Sequence, residues 1–107
     1  MAQSLRLAYR GQQGRTRQNV NWSPIHQKSA VIITAAQWNP SGGIFGELVG
    51  RPVLGDANVY VTNVGPHDPE GGNGGVEFYL HVDSNTPVDV IVTITVLEDV
   101  ADFILAG

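Results

Sequence analysis

The chain has no cysteine among its 107 residues, and it has no lysine or arginine after Arg51. The absence of cysteine excludes disulfides, thiolate metal sites and cysteine nucleophiles. The longest strongly apolar stretch, 88–97, is interrupted by Asp89, Thr93 and Thr95 and is about half as long as a membrane-spanning helix. A chain of this size buries roughly two thirds of its unfolded surface on folding, so we expect a core that needs no metal or disulfide.

Charge is divided unevenly along the sequence. All six basic residues lie in the first 51 positions, where Glu47 is the sole acid, and every other acid follows. The net charge of −4 therefore conceals a basic first part and an acidic second part. Three interpretations are open: a basic arm for an anionic partner, pairing within the chain, or head-to-tail pairing between subunits. A pI near 5.1 argues against nucleic acid as the partner.

Apolar and polar residues alternate with a period of two between clusters of Gly, Pro and Asn, and no long stretch has a helical period. This pattern predicts an all-β fold in a single domain over 1–107. The expected architecture is an antiparallel β-sandwich of about seven to eight short strands, with a small barrel or a jelly roll as the alternative. The predicted strands are 4–9, 19–22, 30–38, 44–49, 58–64, 76–83, 88–97 and 102–105, of which 44–49 could instead be a single helical turn.

Three finer expectations follow from the same pattern. Strands 76–83 and 88–97 are expected to pair as a hairpin, because residues 84–87 read Ser-Asn-Thr-Pro, which favours a turn. Segment 10–18 is basic and lies outside the predicted strands, so we expect it to be mobile. The predicted core consists of Leu5, Leu7, Val31, Ile33, Val59, Val61, Val76, Phe78, Leu80, Val82, Val90, Val92, Ile94 and Val96.

Strand 76–83 carries the main candidate site. Its alternation places Glu77, Tyr79, His81 and Asp83 on one side of the sheet at roughly 7 Å intervals. If strand 58–64 is the neighbour, then Asn58, Tyr60 and Thr62 join that side. Aromatic rings beside acids and amides suit a sugar, whose ring stacks while its hydroxyls form hydrogen bonds. The competing interpretation is a solvated outer face with ordinary cross-strand pairs.

Trp38 is a further candidate ligand-binding residue, because it ends a predicted strand beside a turn; the alternative is that it fills the core. Metal sites are expected to be absent, with two weak alternatives. A divalent ion could use His81 and Asp83 with the loop after strand 58–64, or calcium could use oxygens of that loop. The calcium donors would be Asp68, Glu70 and Asn73.

No sequence feature points to catalysis: the serines lie outside a Gly-x-Ser-x-Gly context, and the Gly-rich run 71–75 lacks the Gly-Lys-Ser/Thr ending of a phosphate loop. We therefore expect a non-catalytic, lectin-like module that binds a carbohydrate or another small polar ligand and forms homo-oligomers. The alternative is a structural protein that self-associates through the same face, since Ile91 and Leu97 point away from the predicted core. No signal peptide is visible, so we expect a cytoplasmic protein or one exported without a classical signal.

Overall fold

The computed structural model describes residues 2–40, 49–68 and 74–107, and this part of the chain is all-β. No helix able to cross a membrane occurs within these residues. The strands in chain order are β1 (Gln3–Gln12), β2 (Gly14–Asn21), β3 (Ser29–Trp38), β4 (Pro52–Val53), β5 (Asn58–His67), β6 (Gly75–Asp83) and β7 (Val88–Asp99).

The strands form two antiparallel sheets. Sheet A has the order β1-β7-β3-β4, and sheet B has the order β2-β6-β5. The most apolar strands, β6 and β7, are therefore flanked on both sides, each in its own sheet. Their inward residues belong to one buried cluster. From β6 these are Val76, Phe78, Leu80 and Val82, and from β7 they are Val90, Val92, Ile94 and Val96.

The predicted core residues all belong to this cluster or pack against it. Six of them are partly buried and form the margin of the cluster: Leu5, Leu7, Val31, Ile33, Val59 and Val61. The structure adds six residues that the sequence did not assign to the core: Val20 and Ile25 in the cluster, and Tyr9, Trp22, Ala35 and Val88 packed against it. Trp22 and Ile25 lie between β2 and β3, where alternation gives no signal, and Ile25 is almost fully buried.

The hairpin predicted from β6 and β7 is wrong. β6 pairs with β2 and β5, and β7 pairs with β1 and β3, so residues 84–87 connect the two sheets. As neighbours in one sheet, the two strands would direct their apolar residues to the same side. Both rows of apolar side chains would then need another element to shield them from water. In separate sheets the two rows cover each other, which buries more apolar surface.

Residues 10–18, which the sequence left outside the strands, form the end of β1, a corner and the first part of β2. Gly11 and Gly14 have φ values of 62° and 73°, which glycine adopts readily. The corner carries the chain from the edge of sheet A to the edge of sheet B. The backbone N–H of Gly11 donates to Oδ1 of Asp89 over 2.9 Å, which ties the corner to β7.

Two other predicted strands have different outcomes. Residues 102–105 have no regular structure and are exposed. Of the predicted strand 44–49, residues 44–48 lie outside the described part of the chain, and Val49 is not in a strand.

Candidate functional site

The outer side of sheet B, here called the sheet B face, collects most of the predicted ligand-binding residues. Register places Tyr60 opposite His81, Thr62 opposite Tyr79, and Asn58 opposite Asp83. On the other flank of β6, β2 contributes residues that face the same way. The face consists of Arg15, Arg17 and Asn19 from β2, Asn58, Tyr60 and Thr62 from β5, and Glu77, Tyr79, His81 and Asp83 from β6.

Tyr60 and His81 form a stacked pair at the centre of this face. Their ring centroids are 4.5 Å apart, and the ring planes differ by 4°. The hydroxyl of Thr62 shares a hydrogen bond of 2.7 Å with Nε2 of His81, which fixes the orientation of the imidazole ring. One side of the Tyr60 ring is thus covered by His81, and 43% of the residue remains exposed.

Tyr79 lies next to this pair and is covered by an arginine. Its ring centroid is 6.5 Å from that of His81, with the rings edge to face. The guanidinium carbon of Arg15 lies 4.8 Å from the Tyr79 centroid, which is a cation–π contact. Within the described residues, Arg15 has no ion pair. Among the described residues no carboxylate occupies its N–H donors, which can therefore reach a ligand at the edge of the ring.

Arg17 and Glu77 form an ion pair at the end of the face. Nη2 of Arg17 lies 2.7 Å from Oε2 of Glu77, and the two side chains are 70% and 45% exposed. Together with Asn63 and Tyr79, they line an open pocket of about 100 Å³. This volume accommodates a few water molecules or a single small substituent, so it suits one group of a larger ligand.

A bulge in β5 completes the face. Between Thr62 and Gly65 the register against β6 shifts by one residue, and Asn63 has a φ of 58°. A one-residue shift reverses which side of the sheet the following residues occupy. His67 consequently lies on the same side as Asn19, and its Nε2 shares a hydrogen bond of 2.8 Å with Oδ1 of that residue.

Trp38 is not part of this site. It lies at the end of β3 in sheet A, is 9% exposed, and is absent from the central cluster. Its indole N–H donates to the carbonyl of Val49, and the guanidinium carbon of Arg10 lies 5.6 Å from its ring centroid. Trp38 therefore packs on the outer side of sheet A, which neither sequence interpretation described.

The candidate metal residues are not brought together in the described part of the chain. Oδ1 of Asp68 accepts a hydrogen bond from the backbone N–H of Gln27 over 2.9 Å. Glu70 and Asn73 lie outside the described residues. No group of three or more His, Asp or Glu side chains is placed to hold an ion within residues 2–40, 49–68 and 74–107.

Arg15 and Arg17 belong to the site although alternation did not predict them there. The signal was present, because Arg15, Arg17 and Asn19 alternate with Thr16, Gln18 and the buried Val20. Inward threonine and glutamine hid the pattern, since only Val20 is apolar. The side chains of Gln18 and Thr16 satisfy each other through a hydrogen bond of 3.1 Å.

Comparison with known proteins adds no relative. No family model matches the chain, and no curated protein or solved structure is detectably similar to it.

Proposed function

We propose that the protein is a non-catalytic binding module that holds a carbohydrate on the sheet B face. The observation that carries the proposal is the clustering of Tyr60, Tyr79 and His81 with charged and amide side chains on one open side of sheet B. The two sheets that share one core support a β-sandwich as the scaffold. Such a scaffold holds the face on strands, which position side chains more rigidly than loops.

Recognition would begin at Tyr60. The ring has His81 on one side, and its other side is directed away from β6, where β5 forms the edge of sheet B. The C–H side of a sugar ring can stack there, because an aromatic ring is large, rigid and apolar. The stack with His81 fixes the orientation of Tyr60 before the ligand arrives, which lowers the entropy lost on binding.

Polar side chains would then select the sugar. Arg15 offers donors that no carboxylate in the described residues occupies, and the exposed Asp83 offers acceptors. Asn58 lies beside Asp83 and has both a donor and an acceptor. Exposed groups of this kind make hydrogen bonds with hydroxyls without the penalty of leaving a buried polar group unpaired. We expect weak binding at a single site and a gain in avidity where sites are repeated.

A glycan array with the full chain tests the proposal. Tyr60→Ala removes the stacking surface, and we expect at least about a tenfold loss of signal on any glycan that the wild type binds, equivalent to about 1.4 kcal/mol. Leu54→Ala is the matched control, because Leu54 is an exposed large apolar residue that lies outside the face. Failure of the wild type to bind any glycan, or equal binding by Tyr60→Ala, would overturn the proposal.

Self-association is a second candidate function, but the structure weakens one of its supports. Ile91 points to the outer side of sheet A, yet it is only 2% exposed within the single chain. The backbone carbonyls of Val49 and Gly50 accept hydrogen bonds from Trp38 and Arg6 on that side, so the chain itself crosses it. Self-association is instead favoured by a different feature, the C-terminal segment.

A further inference from the structure

The last residues of the chain form an apolar arm. Residues 100–107, called the C-terminal arm below, have no regular structure, and all are exposed. Exposure reaches 90% for Phe103, 80% for Ile104 and 83% for Leu105. The N–H of Val100 donates to the carbonyl of Lys28, and no hydrogen bond joins residues 101–107 to the rest of the described chain. Three consecutive large apolar side chains thus stand in water next to unpaired backbone.

Sheet A offers a free strand edge that matches this arm. β1 is the outermost strand and pairs only with β7, so its other edge is open within the described residues. Its inward side chains, Leu5, Leu7 and Tyr9, pack against the core but remain partly exposed. Its outward side chains include Arg6 and Arg10. An open edge of this kind accepts a further strand through backbone hydrogen bonds.

The sequence of the arm fits both sides of such a strand. In an extended chain, Phe103 and Leu105 point to one side, and Asp102 and Ile104 point to the other. Placed beside β1, the first two would extend the apolar margin of the core, while Asp102 would lie on the side that carries Arg6 and Arg10. Glu98, just before the arm, is exposed and carries a further negative charge.

The edge of β2 in sheet B fits less well. Its inward residues include Thr16 and Gln18, so Phe103 and Leu105 would lie against polar side chains there. Two copies of β1 would also pair poorly with each other, because each has arginines and no acid. The apolar side chains of the arm therefore favour β1 over β2 as the acceptor, and its negative charge favours the arm over a second β1 as the donor.

We infer that the C-terminal arm of one copy adds as a strand to the free edge of β1 in a second copy, which makes the chain self-associating. The interaction is directional, because the donor contributes an acidic and apolar segment and the acceptor contributes a basic edge strand. Two copies can exchange arms to form a closed dimer, or successive copies can extend the contact. The sheet B face remains open in either arrangement, so this inference is independent of carbohydrate binding.

Light scattering coupled to size-exclusion chromatography tests the role of the arm. We expect the wild-type mass to rise with concentration above that of one chain, and Phe103→Ser to weaken the association at least about tenfold. Leu54→Ser is the matched control, because it removes an equally exposed apolar side chain outside the arm. A wild type that stays monomeric at all concentrations, or a Phe103→Ser variant that associates like wild type, would overturn the inference.

Charge reversal and hydrogen exchange test the acceptor. Asp102→Arg should weaken the association, while Asp56→Arg, which changes the net charge by the same amount at an exposed turn, should not. In the associated wild type, the open-edge amides of β1 should exchange more slowly than in the Phe103→Ser variant. Protection that appears on β2, β3 or β5 and not on β1 would contradict the assigned surface.

Discussion

At the scale of single residues, exposure separates the side chains that hold the fold from those that are free to bind. The Arg17–Glu77 pair is largely exposed, and such pairs contribute at most about 1 kcal/mol to stability. Leu80 has no exposed surface, and truncating a side chain of this kind to alanine costs about 2–5 kcal/mol. The sheet B face can therefore lose individual side chains without unfolding, which makes substitutions there informative about binding.

Tyr9 predicts a change in stability at alkaline pH. Burial at the margin of the core raises the pKa of its phenol above the ordinary value of 10.0. The unfolded chain therefore loses this proton first, and the stabilisation is present below about pH 10 and is lost as the pH rises through the folded pKa. Tyr9→Phe should show a smaller fall in melting temperature between about pH 9 and 12.

Neutral pH provides the control for this comparison. There the phenol is protonated in both states, so the two proteins differ only by one hydroxyl and should have similar stability. A Tyr9→Phe variant that loses stability with pH as steeply as the wild type would show that other groups cause the alkaline transition.

Asn63 predicts a backbone effect at the bulge. Its φ of 58° is in the left-handed region, which asparagine tolerates and β-branched residues avoid. Asn63→Val should lower the free energy of unfolding by about 1–2 kcal/mol, whereas Asn63→Gly should leave it nearly unchanged. Urea denaturation measures both. Equal stability of the two variants would mean that β5 has no left-handed residue there.

At the scale of elements, alternation predicted where most of the long strands lie but not their partners. Strands 30–38, 58–64, 76–83 and 88–97 are confirmed with small changes at their ends, because the period of two is a local property of the chain. The assignment of β6 and β7 to different sheets depends on burying two apolar rows against each other, which is a property of the whole chain.

The candidate face was only partly predictable for the same reason. The side occupied by Tyr60 and His81 follows from alternation within two strands. The side of the sheet that His67 occupies depends on the bulge after Thr62, where β5 has one residue more than β6. The local sequence pattern does not predict this bulge. Arg15 and Arg17 were missed because the inward residues between them are polar.

An engineered disulfide tests the pairing of β1 with β7. Ser4 and Thr95 are opposite each other, and their hydroxyl oxygens are 2.8 Å apart. Ser4→Cys/Thr95→Cys should form a disulfide in this cysteine-free chain and raise stability by about 4 kcal/mol under oxidising conditions, because the closed loop is long. Thermal unfolding with and without a reductant measures the gain.

The matched control for this pair is Ser4→Cys/Thr34→Cys. Thr34 lies on the same side of sheet A but two strands away from β1, opposite Thr93, so its cysteine should remain unpaired with that at position 4. If the control forms the disulfide and the Ser4/Thr95 pair does not, the order of strands in sheet A is wrong.

At the scale of the whole molecule, most of the basic residues of the first part of the sequence lie close together in the structure. Four arginines, Arg6, Arg10, Arg15 and Arg17, follow one another along the open edges of β1 and β2. Arg17 pairs with an acid of the second part, which gives pairing within the chain a limited share of the explanation. Asp99 contacts His26 within the chain, with Oδ1 3.0 Å from Nε2. Asp102 and the basic edge of β1 are the groups that the inferred pairing between subunits would use.

The central claim is that the sheet B face binds a carbohydrate, and an NMR titration of the full chain tests it most directly. A panel of methyl glycosides at millimolar concentration detects the weak binding expected of one site. We predict that at least one glycoside shifts the amide signals of Tyr60, Tyr79, His81 and their neighbours on β2. Shifts confined to sheet A, or no shift with any member of the panel, would contradict the claim.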